Sequence, residues 1–310
     1  MKHISERELE LPDAVIGELL QIAEEHKGVI SLSVGEPDFI APKPLLNYTK
    51  KIIHKATHYS PTEGRSELRE AICRKLARDN RIHCTPNNIL ITCGSQQALF
   101  SALATTLDVT EEVALPSPCY LAYIPQIELV NGVPAIYPVR EEDNWNINPD
   151  ALLKVIDKKK TKVLLINTPS NPTGNVVSKK ILEEIADIAV EYDLWIFSDE
   201  AYEKLIYDTP HVSIGSLNGM HDYVVTFNTF SKSYAMCGYR VGYVCGPEYI
   251  IKPMIKVSHY VTLAAPTISQ FVALKALQLS NKYIEMMRQE YERRRNYIVK
   301  RLNEIGLPTI

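Results

Sequence analysis

Short apolar runs rich in β-branched residues alternate along this chain with stretches of helical periodicity. No other feature constrains the fold as strongly. One intervening stretch, KKILEEIADIAVEYD (179–193), has apolar residues at spacings of three and four and predicts an amphipathic helix. Strands separated by helices favour a mainly parallel sheet with helices on both faces. The predicted strands are NILIT (88–92), EVALP (112–116), KVLLIN (162–167), LWIFSD (194–199) and DYVVTF (222–227).

Two later segments depart from this alternation. GYRVGYVCG (238–246) alternates more tightly, which favours an antiparallel member of the sheet. Residues 267–305 contain no proline or glycine and predict a long amphipathic helix that leads away from the sheet. We expect its apolar stripe to lie in a core or an interface. The stripe consists of Tyr283, Met287, Tyr291, Ile298, Leu302 and Ile305.

These patterns predict an α/β protein with a large domain and a smaller one. At about 150 residues per domain, a chain of 310 residues suggests two domains. We assign residues 1–46 to an N-terminal arm and part of the small domain, 47–275 to the large domain, and 276–310 to a bridging helix and the start of the small domain. A proline just past a helix-ending glycine normally leads into another element, but the chain stops at GLPTI (306–310). We therefore expect a truncated or incomplete small domain, with a natural short form as the alternative.

Composition argues against several kinds of partner. The net charge is −3 and no basic block is long, so we expect no nucleic-acid partner. No stretch approaches the ~20 apolar residues that a membrane span needs, and the charged start MKHISERELELP (1–12) is unlike a secretory leader. The six cysteines show neither C-x-x-C pairing nor metal-ligand spacing, so we expect reduced thiols, no metal and a cytoplasmic protein.

Chemically distinctive residues follow each predicted strand. In an open parallel sheet, ligands bind beyond the carboxyl ends of the strands, so we expect these residues to converge. They supply a glycine turn, an aromatic ring, an amide, a carboxylate with a phenol, and hydroxyls with a lysine. In chain order the segments are CGSQQ (93–97), SPCY (117–120), TPSNPTG (168–174), SDEAY (198–202) and NTFSK (228–232).

This set of groups meets the requirements of one cofactor, pyridoxal 5′-phosphate. Its aldehyde needs a lysine, and its pyridine nitrogen needs a carboxylate that keeps it protonated. Its phosphate needs backbone N–H groups at a helix start together with a cation. Its ring face needs an aromatic or apolar neighbour. Each segment alone is weakly specific, but together they predict this cofactor.

Five motifs resemble those of the class I/II pyridoxal-phosphate-dependent aminotransferases of fold type I, which include aspartate and aromatic amino acid aminotransferases. The resemblance covers nearly the whole chain, in the family's order. It implies transfer of the amino group of an L-amino acid, with aromatic or broad preference, to a 2-oxo acid such as 2-oxoglutarate. It also implies a homodimer with shared active sites. The motifs are VGEPDF (34–39), HYSPTEGRSELREAI (58–72), NPTG (171–174), SDEAY (198–202) and SKSYAMCGYRVGY (231–243).

The resemblance implies a role for each residue around the cofactor ring. Lys232 would bind the cofactor covalently and shuttle a proton during catalysis, while Asp199 would pair with the pyridine nitrogen. Tyr202 and Asn171 would hydrogen-bond the phenolic oxygen of the ring, and Tyr120 would stack on its face. Each residue also has an ordinary structural alternative. Lys232 could be a surface lysine and Asp199 a helix N-cap. Tyr202 could be a packed core phenol, Asn171 a turn residue before proline, and Tyr120 an aromatic that only packs.

The resemblance also implies a phosphate site. Arg240 would bind the phosphate as a guanidinium fork, although a structural ion pair is the alternative. Hydroxyl groups of Thr229 and Ser231 would assist it. A turn at a helix N-terminus would supply the N–H groups. That turn consists of Gly94, Ser95 and Gln96.

Two further residues are implied at the edge of this site. Tyr59 would reach the phosphate of the neighbouring subunit, or else be a packed aromatic. SVGEPDF (33–39) would close over the substrate with the backbone of Gly35 near its carboxylate, or else Gly35 is an ordinary turn glycine. Gly35, Tyr120 and Asn171 are thus the predicted substrate-binding residues.

The chain departs from the family pattern at the substrate anchor. The family's C-terminal arginine for the substrate carboxylate has no counterpart here. HYVTLAAPTIS (259–269) contains no arginine, which disfavours a strict dicarboxylate site, and Tyr260 and Leu263 suit aromatic or aliphatic substrates or simple packing. Two alternatives therefore stay open: a carbon–sulfur β-lyase that uses the same cofactor, and a non-catalytic binding or regulatory protein.

Overall fold

The structure is a computed structural model that describes residues 3–5, 11–12, 15–26, 28, 30, 32 and 35–309. Val34, with which the VGEPDF motif begins, and most of the charged start (1–12) lie outside the described residues. The described part contains a seven-stranded sheet. Its strands are β1 (Ile89–Thr92), β2 (Glu112–Ser117), β3 (Val133–Pro138), β4 (Thr161–Asn167), β5 (Trp195–Asp199), β6 (Val224–Thr229) and β7 (Gly242–Cys245).

The sheet is mainly parallel, as the sequence predicts. Its strand order is β1-β7-β6-β5-β4-β2-β3, and only the pairs that involve β7 are antiparallel. The antiparallel strand in 238–246 is therefore confirmed. Strand β3 is missing from the sequence prediction. It contains two prolines and pairs only with β2, which is typical of an edge strand and weakens its β signal.

Helices cover both faces of the sheet. The predicted helix at 179–193 is confirmed as α7, which begins after Ser178, whose hydroxyl accepts a hydrogen bond from the N–H group of Ile181. The α-helices are α1 (Val15–Glu25), α2 (Lys43–Ile52), α3 (Ser66–Lys75), α4 (Ser95–Thr106), α5 (Tyr123–Leu129), α6 (Pro149–Leu153), α7 (Lys179–Tyr192), α8 (Phe230–Ser233), α9 (Glu248–Thr262), α10 (Thr267–Ala276) and α11 (Lys282–Glu304).

The sequence of strand β4 is a continuous apolar run because both faces of the strand are buried. Val163 and Leu165 pack into the core on the α4 side of the sheet, whereas Leu164 and Ile166 pack into the core on the α7 side. All four side chains are at most 1% exposed. Burial of such a side chain stabilises the fold by about 1.5–3 kcal/mol. Both faces of the strand are therefore anchored, and its carboxyl end is held in a defined position.

The predicted long helix is divided in the structure. Residues 267–305 form α10 and α11, which are separated at residues 277–281. The stripe is buried at Met287, which is 2% exposed, but Ile298 and Ile305 are 50% and 64% exposed in this single subunit. The predicted domain boundaries stay predictions. None of the described helices is long and apolar enough to cross a bilayer.

Candidate active site

A cavity of about 340 Å³ lies beyond the carboxyl ends of the central strands. The chain segments that follow β1, β2, β4, β5 and β6 all reach it, as the parallel arrangement predicts. Every residue predicted for the site except Tyr59 lines this cavity. These residues are Gly35, Gly94, Ser95, Gln96, Tyr120, Asn171, Asp199, Tyr202, Thr229, Ser231, Lys232 and Arg240.

Lys232 lies in the short helix α8, directly after β6. The hydroxyl of Thr229 caps this helix by accepting a 3.2 Å hydrogen bond from the N–H group of Ser231. The Nζ of Lys232 donates a hydrogen bond to the carbonyl oxygen of Gly35 and lies 5.6 Å from the centroid of the Tyr202 ring. The amine therefore joins three segments that are remote in sequence, and Gly35 is brought to the site as predicted.

Asp199 ends β5 and presents its carboxylate to the cavity. Its Oδ2 accepts a 2.8 Å hydrogen bond from the Tyr123 hydroxyl, and its Oδ1 accepts a 3.1 Å bond from the N–H group of Ala201. Burial raises the pKa of Asp199, while these two hydrogen bonds and the charge of Lys232 act to lower it. Such a carboxylate is stabilised by an additional cation, and a protonated ring nitrogen meets that requirement.

Tyr202 and Asn171 lie side by side. The amide Nδ2 of Asn171 donates a 3.4 Å hydrogen bond to the Tyr202 hydroxyl. Burial, together with the charge of Asp199, raises the pKa of Tyr202 to about 12. The phenol is therefore protonated at neutral pH and can donate a hydrogen bond to an anionic oxygen in the cavity.

Asn167 connects two of these segments, although the sequence analysis did not select it. Its Oδ1 accepts a 2.6 Å hydrogen bond from the N–H group of Asn171, and its Nδ2 donates a 3.0 Å bond to the carbonyl oxygen of Asp199. It is 6% exposed. An amide that ends the apolar run KVLLIN is the sequence signal that could have identified it.

An anion site surrounds the start of α4. Gly94 has a φ of +83°, and a Cβ added there would lie 2.8 Å from Nη2 of Arg240. A Cβ at Gly242 would lie 2.8 Å from the carbonyl carbon of Gly94 and from the backbone nitrogen of Ser95. Both glycines therefore allow the guanidinium and strand β7 to approach the N–H groups at the helix start. This combination binds anions such as phosphate.

Tyr120 and Tyr123 form the wall next to Asp199. Their rings contact edge to face, with centroids 5.4 Å apart. Tyr123 is only 1% exposed, so the rest of its ring is fixed by the core. It was not selected from the sequence, although it follows Tyr120 by three residues. Other lining residues without a sequence prediction are Glu36, Leu121, Ala201 and Cys237.

Three residues considered from the sequence lie away from this cavity within one subunit. Tyr59 is 86% exposed and does not line the cavity. Tyr260 is 81% exposed, and neither Tyr260 nor Leu263 lines the cavity. For Tyr59 this agrees with the expectation that it acts at a neighbouring subunit, which stays a prediction.

A second cavity of about 830 Å³ adjoins the first, because Gly35, Asn171, Tyr202 and Lys232 line both. Its remaining walls combine aromatic and apolar residues with polar ones such as Asn144, Asn146, Asn175 and Thr209. The aromatic and apolar residues include Tyr207, Tyr291, Leu205, Ile206 and Val176, with Arg295 at one side.

The residues present fit pyridoxal phosphate, because they provide an amine, a half-buried carboxylate and an anion site around one cavity. A mainly parallel sheet with these groups at its carboxyl edge defines a pyridoxal-phosphate-dependent enzyme of fold type I. The chain belongs to the family described as aminotransferase class I and II, which matches residues 27–310.

Relatives with assigned activities support the same class. The chain is 45% identical to aromatic-amino-acid aminotransferase 2 of Thermococcus litoralis and 46% identical to an aspartate aminotransferase of Pyrococcus abyssi, in each case over 95% of this chain and 77% of the relative. The crystal structure of the aromatic aminotransferase of Pyrococcus horikoshii superposes with a TM-score of 0.89 at 44% identity, covering 95% of this chain and 79% of that one. The chain is thus a pyridoxal-phosphate-dependent aminotransferase, and the non-catalytic alternative is discarded.

Proposed function

We propose that this aminotransferase moves the amino group of an L-amino acid, with aromatic or broad preference, to a 2-oxo acid such as 2-oxoglutarate. The placement of Lys232 on the wall shared by the two cavities is the observation that carries this proposal. One cavity has the groups that suit the cofactor, and the other has space for an amino acid side chain. The relatives named as aromatic and aspartate aminotransferases support transfer of the amino group of an amino acid.

One side of the second cavity, with Tyr207, Tyr291 and apolar neighbours, favours aromatic and apolar side chains, while its polar residues suit a broader range of donors. Arg295 lines it, but its Nη1 already donates a 2.7 Å hydrogen bond to Asp208, and its guanidinium lies 5.0 Å from the centroid of the Tyr207 ring. A guanidinium that is already paired with Asp208 is a poor partner for the side-chain carboxylate of a dicarboxylic amino acid. Tyrosine rings offer apolar area together with a polar tip, which suits aromatic donors.

Each residue of the first cavity then has a specific task. Bound pyridoxal phosphate supplies a ring that accepts the electron pair left when the α-proton of the amino acid is removed. Lys232 would accept that proton on Nζ as a general base and later donate it as a general acid. Asp199 holds the ring nitrogen, and Tyr202 with Asn171 holds the phenolic oxygen.

The remaining residues orient the ligand. Arg240 and the N–H groups of the turn that begins at Gly94 hold the phosphate, with hydroxyls of Thr229 and Ser231 nearby. Tyr120 supports the ring face. By holding the cofactor at opposite ends, these residues would also restrict the orientation of the amino acid bound to it, and an orientation of this kind would favour transamination.

We also propose a homodimer with shared active sites and a cytoplasmic location. The high exposure of Tyr59 supports the dimer, since an aromatic side chain that is 86% exposed in one subunit is typical of an interface residue. In this arrangement Tyr59 reaches the phosphate of its partner. We also propose, from the sequence patterns, a division into an N-terminal arm (1–46), a large domain (47–275) and the start of a small domain (276–310).

A spectroscopic titration tests the function. The purified protein is loaded with pyridoxal phosphate and mixed with single amino acids in the absence of a 2-oxo acid. We expect aromatic amino acids to convert the bound cofactor to its amine form, and 2-oxoglutarate to reverse the change. Release of pyruvate and ammonia from cysteine or cystathionine without any acceptor would instead identify the β-lyase.

Replacement of the lysine tests the site. Lys232→Ala should abolish the adduct between protein and cofactor that borohydride makes permanent, while the fold is retained. A persisting reducible adduct in this variant would exclude Lys232 as the attachment point.

A further inference from the structure

The segment that follows β5 presents its side chains to two sides. Asp199 and Tyr202 line the cofactor cavity. Glu200 and Glu203 are 0% and 6% exposed, and neither lines that cavity. Burial of two carboxylates at this point is unfavourable unless each is paired and hydrogen-bonded. The partners of Glu200 and Glu203 therefore indicate what this part of the molecule does.

Glu200 is bound by four side chains at once, including Asn80, whose Nδ2 donates a 3.2 Å hydrogen bond to Oε2. Oε1 of Glu200 accepts a 3.0 Å hydrogen bond from the hydroxyl of Ser198, and its Oε2 accepts a 2.5 Å bond from the hydroxyl of Ser213. The Nε2 of His211 lies 3.0 Å from the same Oε2. These bonds connect the end of β5 to the loop at residues 211–213.

Glu203 is bound from a different direction. The Nζ of Lys75, the last residue of α3, contacts its Oε1, and the Nδ2 of Asn80 donates a 2.5 Å hydrogen bond to its Oε2. Lys75 also donates a 2.8 Å bond to Oδ1 of Asn80. We call this buried set the rear network. It consists of Lys75, Asn80, Glu200, Glu203, His211 and Ser213.

The charges within the rear network balance when His211 is protonated. Burial acts to lower the pKa of His211, but the adjacent charges of Glu200 and Glu203 raise it overall, with Lys75 acting in the opposite direction. Two carboxylates then face one ammonium and one imidazolium. Glu200, Glu203 and His211 are close enough to ligate a metal ion, but Lys75 already supplies a cation to Glu203.

We propose that Glu200 and Glu203, held by the rear network, are positioning residues that fix Asp199 and Tyr202 for the cofactor. The backbone geometry makes this coupling direct. The N–H group of Glu203 donates a 3.0 Å hydrogen bond to the carbonyl oxygen of Glu200, and that of Glu200 donates a 2.9 Å bond to Phe227. Residue 202 lies within this turn and residue 199 directly precedes it, so the two cofactor-facing residues share a short backbone segment with the two glutamates.

Two matched hydroxyl deletions test the proposal. Ser213 and Thr161 are both 2% exposed, and each hydroxyl donates a hydrogen bond to a glutamate, Glu200 and Glu112 respectively. Each hydroxyl also accepts one, from Asn80 and from the N–H group of residue 157. Thr161 begins β4 and therefore lies about 20 Å from the carboxyl end of that strand.

Ser213→Ala and Thr161→Val are compared as apoproteins of the full chain. Both substitutions should lower the melting temperature by about 2–5 °C, because each removes a buried hydroxyl that donates a hydrogen bond to a carboxylate. Only Ser213→Ala should weaken pyridoxal phosphate binding, by about tenfold in Kd by equilibrium dialysis, and alter the absorbance of the bound cofactor. Equal Kd values for the two variants would overturn the proposal.

A second pair of variants separates positioning from stability. Lys75→Met leaves Glu203 buried without its cation and should lower the melting temperature steeply. The double variant Lys75→Met/Glu203→Leu removes both charges and should recover much of that loss, yet its Kd for the cofactor should stay about tenfold above that of the wild type. Recovery of stability and affinity together would assign the pair a purely structural role.

This inference rests on the proposed roles of Asp199 and Tyr202, and Asp199→Asn distinguishes the two failures. If Asp199→Asn binds the cofactor as tightly as the wild type, the site assignment itself is wrong. If Asp199→Asn weakens binding while Ser213→Ala does not, only the role of the rear network is wrong.

Discussion

The phenolic hydroxyl of Tyr123 donates a 2.8 Å hydrogen bond to Oδ2 of Asp199. Tyr123 is 1% exposed and begins α5, so its ring cannot turn away from the carboxylate without disturbing the core. The hydrogen bond favours the ionised form of a carboxylate whose pKa is raised by burial. It therefore prepares Asp199 for a protonated ring nitrogen.

Tyr123→Phe should weaken pyridoxal phosphate binding by about tenfold, because a hydrogen bond to a charged group contributes about 1.5–3 kcal/mol. The pKa of Asp199 should rise further. Equilibrium dialysis against the apoprotein measures the affinity, and the absorbance of the bound cofactor as a function of pH measures the change at the ring.

Tyr137→Phe is the matched control for this substitution. Tyr137 is 0% exposed, and its hydroxyl has no hydrogen-bond partner within the described structure. Its removal should leave cofactor affinity unchanged and stability unchanged or improved. If both phenylalanine variants bind the cofactor like the wild type, the bond from Tyr123 has no part in cofactor binding.

Gly94→Ala should weaken phosphate binding because the new Cβ would lie 2.8 Å from Nη2 of Arg240. We expect the Kd for pyridoxal phosphate to rise at least tenfold. Gly219 is the control: its φ of +79° is similar, and a Cβ there meets nothing within 4 Å. Gly219→Ala should destabilise the fold by about 1 kcal/mol through backbone strain alone.

The two alanine variants are compared by dialysis and by urea unfolding. We expect both variants to lose a similar amount of stability. Only Gly94→Ala should also lose affinity for pyridoxal phosphate. A Gly94→Ala protein that binds both pyridoxal phosphate and inorganic phosphate normally would show that Arg240 and this turn do not form the anion site.

His211 should make the stability of the apoprotein depend on pH. Its pKa is raised by Glu200 and Glu203 against the effects of burial and Lys75. A raised pKa means that the folded state binds the proton more tightly. The stabilisation is therefore complete below about pH 6.5, the usual histidine value, and is lost as the pH rises through the folded-state pKa.

Urea unfolding of wild type and His211→Gln at several pH values checks this expectation. The difference in unfolding free energy should be larger at pH 6 than at pH 9, because glutamine can still donate a hydrogen bond to Glu200 but does not titrate. A difference that stays constant, or that grows as the pH rises, would mean that His211 is neutral in the folded state.

The proposed shared active site can be tested by mixing two inactive proteins. In a dimer of Lys232→Ala and Tyr59→Ala subunits, one site contains both defects and the other contains neither. Random reassortment should therefore restore about a quarter of the wild-type activity, since half of the dimers are mixed and each has one intact site. No recovery, with reassortment confirmed by mass spectrometry, would place Tyr59 outside the partner's site.

Much of the fold follows from local patterns. The apolar runs at β4 and β5 are long enough, and sufficiently isolated by helices, to identify buried parallel strands. Strand β3 escaped prediction because Pro134 and Pro138 reduce the β signal at a sheet edge that pairs on one side only. The break between α10 and α11 was also missed, since no proline or glycine marks it.

The sequence by itself determined the chemical inventory of this protein: a lysine, a carboxylate, an amide, a phenol and a glycine turn, each directly after an apolar run. It determined their convergence too, because parallel strands end at one edge of a sheet. Only the tertiary structure decided that Tyr123 and Asn167 hold Asp199 in place, and that Lys75 neutralises Glu203 behind it. Those contacts join residues 32 to 128 positions apart. Local periodicity contains no information on such pairs, since they form only when helices and strands pack together.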